Sequence, residues 1–276
     1  MKLKALVIAA AFAVTGTAFA KIGSVVETAD GGEMNLNLFS LSGEATYQLD
    51  SGILFKDFNL NAFAKLPDST TPYTWSTTLD TATDVAFASF VAVAGSATDL
   101  SFSFFGGDNN GVSAAQRGMT TTVRAGGNVA VITNGNIVDG NNQLQTYMAA
   151  VNGKHPAGVA TNGSSFFTKA EGAGHYYTND RTTLLNKFPI GNDGLVGTSL
   201  DVYSFVRSST SLGGDAIETK LGTFNVAQLN ATQYSVSFST PVTEVITPSV
   251  PEPTSLALSL VGLAAFGVVA ARRRAQ

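Results

Sequence analysis

Acids, two histidines and a few aromatic rings are the chemistry this chain offers; it has no cysteine. Without a thiolate there is no thiol catalysis, no iron–sulfur cluster and no cysteine-ligated zinc. His175 stands four residues after Glu171, a spacing at which helix neighbours share a metal ion. Gly172 and Gly174 disfavour that helix, and no third ligand is evident, so His175 reads as a loop histidine. Asp108-Asn109-Asn110-Gly111 is oxygen-rich, as calcium prefers, but it lacks spaced carboxylates and a closing Glu. A tight turn accounts for it, and no metal or cofactor is expected. Asp80 with Asp84, or Asp201 with Asp215 and Glu218, could act as general acid and base only if brought within roughly 5–10 Å. Solvated surface acids are the plainer reading. No Gly-x-Ser-x-Gly elbow marks a serine nucleophile. Aromatic faces pack on sugar rings, which makes Tyr176, Tyr177 and Trp75 ligand candidates. Tyr176 and Tyr177, in a glycine-rich stretch, fit that role better, while Trp75 also suits a core. No catalytic residue is assigned, and the chain is expected not to be an enzyme.

Strands must position these residues. Met34–Leu41 alternates in part, Ala45–Leu49 and Ile53–Phe58 follow, and Asp50-Ser51-Gly52 between them reads as a turn. Tyr73–Thr78 holds Trp75, and Leu100–Phe104 alternates cleanly as a half-buried strand. Met119–Ala125, Leu200–Val206, Ile217–Val226 and Tyr234–Phe238 complete the set, with Leu200–Val206 apolar on both faces and therefore central. Helical spacing occurs twice. Val85, Phe87, Phe90, Val91 and Ala94 follow Asp80 or Thr81 as an N-cap, and Leu144, Tyr147, Met148 and Val151 end at Asn152-Gly153. Val129–Val138 is either a hairpin about Asn134-Gly135 or a strand leading into a helix. Asn152–Gly174 reads as a long surface loop, the kind of segment where function most often sits. The fold class is therefore mainly β, an antiparallel β-sandwich with two or so short helices, plus a helix at each end of the chain.

Those end helices are addresses. Lys2 and Lys4 precede an apolar stretch from Ala5 to Val14, and Ala18-Phe19-Ala20 is a small-x-small cleavage site. Residues 1–20 thus read as a secretory signal peptide, leaving an exported domain at 21–239 and a linker at 240–249. Val250-Pro251-Glu252-Pro253 then opens the tail at 250–276. Thr254–Ala271 is uncharged and spans eighteen residues, or roughly 27 Å as a helix. That is just long enough for a transmembrane helix. Arg272, Arg273 and Arg274 hold its end on the cytoplasmic side.

A Val-Pro-Glu-Pro segment, an apolar span and terminal arginines in that order resemble the PEP-CTERM sorting signal of Gram-negative bacteria. The resemblance implies processing by an exosortase that recognises Pro251, Glu252 and Pro253 and removes the helix. It also implies transient anchoring in the inner membrane, a final place at the cell surface or outside the cell, and an association with exopolysaccharide and biofilm matrix. Gly32-Glu33-Met34-Asn35-Leu36, Tyr47-Gln48-Leu49-Asp50 and Leu200-Asp201-Val202-Tyr203-Ser204-Phe205 are similar to segments of PEP-CTERM proteins without assigned activity. They carry no catalytic residues across.

Composition agrees with an exported β domain. Charged residues are 13 % of the chain, too few for long surface helices, and 18 Phe can build a core without disulfides. The net charge is −4, and setting aside Lys2, Lys4 and the three arginines makes the exported part more acidic still. Nucleic acid is therefore excluded as a partner. The expected function is a non-enzymatic surface or matrix protein. The alternatives are a secreted polysaccharide-binding or polysaccharide-active protein and a calcium-dependent adhesion module.

Overall fold

The computed structural model describes residues 32–66, 70–94, 99–108, 118–153, 163–171 and 189–242. The chain divides into two compact units, Met1–Val242 and Thr243–Gln276, and every described residue lies in the first. The signal peptide with Ala18 and Ala20, most of the linker, and the tail from Val250 through the 254–271 helix to Arg274 lie outside the described residues. Among the described residues no helix is long and apolar enough to cross a membrane.

One antiparallel sheet organises the fold. Its strands are β1 (Glu33–Ser40), β2 (Ala45–Leu54), β3 (Thr74–Asp80), β4 (Leu100–Asp108), β5 (Gly118–Val123), β6 (Ser164–Thr168), β7 (Gly194–Leu195), β8 (Ser199–Arg207), β9 (Ala216–Gln228) and β10 (Gln233–Ser239). The order across the sheet is β3-β10-β9-β8-β5-β4-β1-β2-β6, with β7 paired to β4. Three helices pack on it: α1 (Phe55–Phe63), α2 (Val85–Ala94) and α3 (Asn134–Gly153). The antiparallel, mainly β expectation holds. The two layers of a sandwich come instead from a single sheet that curls. Phe104 of β4 and Phe224 of β9 have ring centroids 4.3 Å apart, although three strand spacings, about 14 Å in a flat sheet, separate their strands. Trp75 of β3 lies 5.9 Å from Phe104, across five spacings.

Period-2 alternation feeds two cores. Met34, Leu36, Leu38, Phe102, Phe104, Val202, Phe224 and Phe238 face the inside of the curl under α1 and α2. Phe105, Met119 and Phe205 face the other way, against Ile137, Leu144, Tyr147 and Met148 of α3. On that second face Asn37, Gln48 and Ser103 align across β2, β1 and β4 and are buried. The Tyr147 hydroxyl donates to Asn37 Oδ1 at 3.0 Å, while the Gln48 amide and the Ser103 hydroxyl find no partner among the described residues.

Several local expectations change. The turn at Asp50-Ser51-Gly52 does not break the chain: β2 runs through it, with Gly52 at φ +67 and a register shift opposite, between Glu33 and Asn35. The turn-type residues make a bulge. The strand expected at Ile53–Phe58 gives way to α1, whose buried Phe55, Phe58, Asn59 and Ala62 are spaced i, i+3, i+4, i+7. Of the two readings of Val129–Val138, the hairpin is absent and the helix is present from Asn134, preceded by a 3-10 turn at Val129–Val131 and a single bridge from Thr133 to Asp215 in place of a strand. The Thr133 hydroxyl accepts from the Asn136 backbone N–H at 3.3 Å and the Asn136 carboxamide oxygen accepts from the Thr133 backbone N–H at 2.9 Å, opening α3 there in the manner of a capping box. The long loop at Asn152–Gly174 contains β6, which pairs with β2.

Candidate functional site

Each predicted site residue has a definite place or lies outside view. Tyr176, Tyr177, His155 and His175 lie outside the described residues, as do Asn109, Asn110 and Gly111. The Trp75 ring is stacked with Phe104 and Phe224, at interplanar angles of 23° and 21°. No group of three or more metal-ligating side chains occurs among the described residues.

Asp80 and Asp84 are occupied structurally. Asp80 accepts from the backbone of Ala82 at 2.8 Å and from the Gln233 side chain at 2.6 Å, and these bonds, the latter foremost, hold its carboxyl below the usual range. Asp84, rather than Asp80 or Thr81, caps α2: its Oδ1 accepts from the Phe87 N–H at 2.9 Å. The same carboxylate takes the Tyr47 hydroxyl at 2.8 Å and the Ser164 hydroxyl at 2.7 Å, tying α2 to β2 and β6. Burial first, and then the Asp84 charge, push the Tyr47 phenol well above its ordinary pKa. Asp84→Ala loses the cap and strands a fully buried phenol, an expected cost of about 2 kcal/mol in urea unfolding. Asp84→Asn should recover most of it; equal losses in both variants would deny the cap.

The second acid set does not converge. Asp201 pairs in register with Thr223, whereas Glu218 lies opposite Phe205. Four residues of β8 separate those positions, roughly 13 Å, and Asp215 lies beyond Glu218. Asp201 instead meets Lys220 at 2.8 Å. A carboxyl pair that spacing did not reveal joins Glu33 and Asp50 across the β1–β2 bulge. Burial is the main cause that raises Asp50 to about pH 7; the Gly52 N–H opposes it, and the Glu33 charge and hydrogen bond add to it. The Glu33 carboxyl thus stands close enough to Asp50 to disfavour its ionisation.

A groove forms where β5 stops. Its last pair is Val123 with Asp201, while β8 runs on through Leu200 to Ser199. The gap is a groove of about 300 Å³ between the Arg124–Gly127 turn and Ser199, Asp201 and Tyr203, small for a ligand cleft. The Gly127 N–H closes the turn on the Arg124 carbonyl, and Gly126 at φ +79 occupies the left-handed region that favours glycine. Arg124 pairs with Asp193, whose side chain is 6 % exposed against 46 % for Arg124. The buried acid fixes the guanidinium, and Gly191 gives it space: a Cβ there would meet the guanidinium carbon at 2.8 Å. Tyr203 is half-buried and stacks on Phe205, centroids 6.0 Å apart. The groove thus offers an aromatic ring, a positioned guanidinium, a carboxylate and a hydroxyl, which can bind a polar ligand. Sequence reading missed it because a strand's stopping point is a property of register.

No curated protein and no solved structure matches the chain. Residues 249–274 match the family model described as the PEP-CTERM protein-sorting motif. That span contains Val250-Pro251-Glu252-Pro253, the apolar stretch and the three arginines. The chain therefore carries the PEP-CTERM protein-sorting motif in its C-terminal region, the mark of an exported protein that an exosortase sorts.

Proposed function

We propose that this protein is a non-enzymatic component of the cell surface or extracellular matrix, held among exopolysaccharide after exosortase removes its tail. The sorting motif at residues 249–274 carries the reading. The remaining chemistry supports it: of the candidate acids, Asp84 caps a helix, Asp80 accepts from Gln233 and Ala82, and Asp201 pairs with Lys220. Export starts from the signal peptide at residues 1–20. The apolar helix at 254–271 then anchors the chain in the inner membrane until the Pro-Glu-Pro segment is processed.

Cell fractionation with intact-mass measurement tests this. The expected product begins near Lys21, lacks the terminal arginines and co-fractionates with surface or matrix polysaccharide. Recovery of the whole unprocessed polypeptide from cytosol would end the proposal.

A further inference from the structure

The groove at the end of β5 opens on an exposed part of the sheet, on the face away from the inside of the curl. Register carries two rows of side chains from the groove to the edge strand β3. Ser199 pairs with Asn225, Asn225 with Ser237, and Ser237 with Ser76. Asp201 likewise leads through Thr223 and Ser239 to Thr74. Ser199, Ser237, Ser76, Thr223 and Thr74 are exposed, and Asn225 and Ser239 are half-buried. Three strand spacings give the rows a span of roughly 14 Å.

The chemistry of this surface selects its partner. Every side chain in the rows is a hydroxyl or an amide except Asp201, and Lys220 neutralises Asp201 at 2.8 Å. In the groove Arg124 is likewise balanced by Asp193. A surface whose charges cancel in pairs has no field to attract a polyanion. It also lacks the central apolar anchor on which a protein partner would build a hot spot. Rows of neutral donors and acceptors, beginning at a tyrosine ring, suit a chain of neutral hydroxylated rings: hydroxyl to hydroxyl along the rows, ring face to Tyr203 in the groove.

We propose that the groove at Tyr203 and Arg124, with the hydroxyl rows leading from it to β3, is a binding surface for a neutral polysaccharide. This rests on the surface-protein reading above and adds the ligand class and the face. The test is affinity electrophoresis of the exported protein in native gels containing dextran, hydroxyethylcellulose or anionic alginate. Retardation is expected in a neutral polymer, with little in alginate. Tyr203→Ala and Ser237→Glu should each weaken the apparent affinity at least ten-fold. Ser237 is exposed, so its variant should melt with the wild type and report on the surface rather than on folding. No retardation in either neutral polymer, retardation in alginate alone, or equal retardation of both variants and wild type would overturn the assignment. A matrix-located protein that fails this test removes the surface while leaving the sorting-based function intact.

Discussion

Gly222→Ala is expected to cost at least about 3 kcal/mol, read as a drop in the urea midpoint. Gly222 lies on β9 beside the start of the β9–β10 ladder, where Thr223 pairs with Ser239. A Cβ at position 222 would sit 2.2 Å from the Ser239 carbonyl oxygen and 3.0 Å from the Phe238 ring. The carbonyl is backbone, so no rotamer change relieves the contact. β10 must move, carrying Phe238 away from Phe58, 4.7 Å distant. Interiors at crystal-like density do not absorb such shifts locally. Gly213→Ala is the control: a Cβ there meets nothing within 4 Å, and a change within about 0.5 kcal/mol is expected. Similar losses at both sites would mean that glycine's backbone freedom, rather than this close approach, governs the effect.

Asp50→Asn is expected to stabilise the protein at pH 8 and to do little at pH 4. The folded carboxyl is raised from 3.8 to about 7. Between these values the folded state holds a proton that the unfolded chain has released, so stability falls as pH rises through the window. Three units correspond to an upper bound near 4 kcal/mol, and about 2 kcal/mol is a reasonable expectation. The asparagine carbonyl can still accept from the Gly52 N–H, and its amide can donate to Glu33, so the bulge keeps its bonds. Unfolding curves of both proteins from pH 4 to 8 decide the matter. Parallel curves would show that Asp50 is ionised throughout.

Those two positions mark the division between what could be read ahead and what could not. Leu100–Phe104 was legible as a strand because its alternation puts Phe102 and Phe104 on one face, but it is buried on both faces rather than half-buried because α3 covers the serine side; Leu200–Val206 was legible because both its faces are apolar and it is central. The helical set in α1 was not, because it starts at Phe55 without a break after β2, and an apolar run at a strand's end fits either period. β6 was hidden by its setting among Gly, Ala, Ser and Asn. The Glu33–Asp50 contact and the Tyr203 groove depend on a register shift and on where β5 ends, neither of which composition encodes. The sorting motif lies at the opposite extreme: a linear signal that a processing enzyme must recognise is legible directly.

The β3–β10 pairing has a consequence for the order of events during export. Gln233 meets Asp80 at a sequence separation of 153, and among the described residues β3 has no strand neighbour but β10. Contacts that distant in sequence form late, because loop closure must precede any gain from them. For a chain emerging N-terminus first, the ladder cannot be finished until Ser239 has crossed. The sorting motif begins ten residues later, at position 249. The strand that completes the sheet thus precedes the sorting motif by only ten residues, so closure of the sheet and sorting fall close together in time during export.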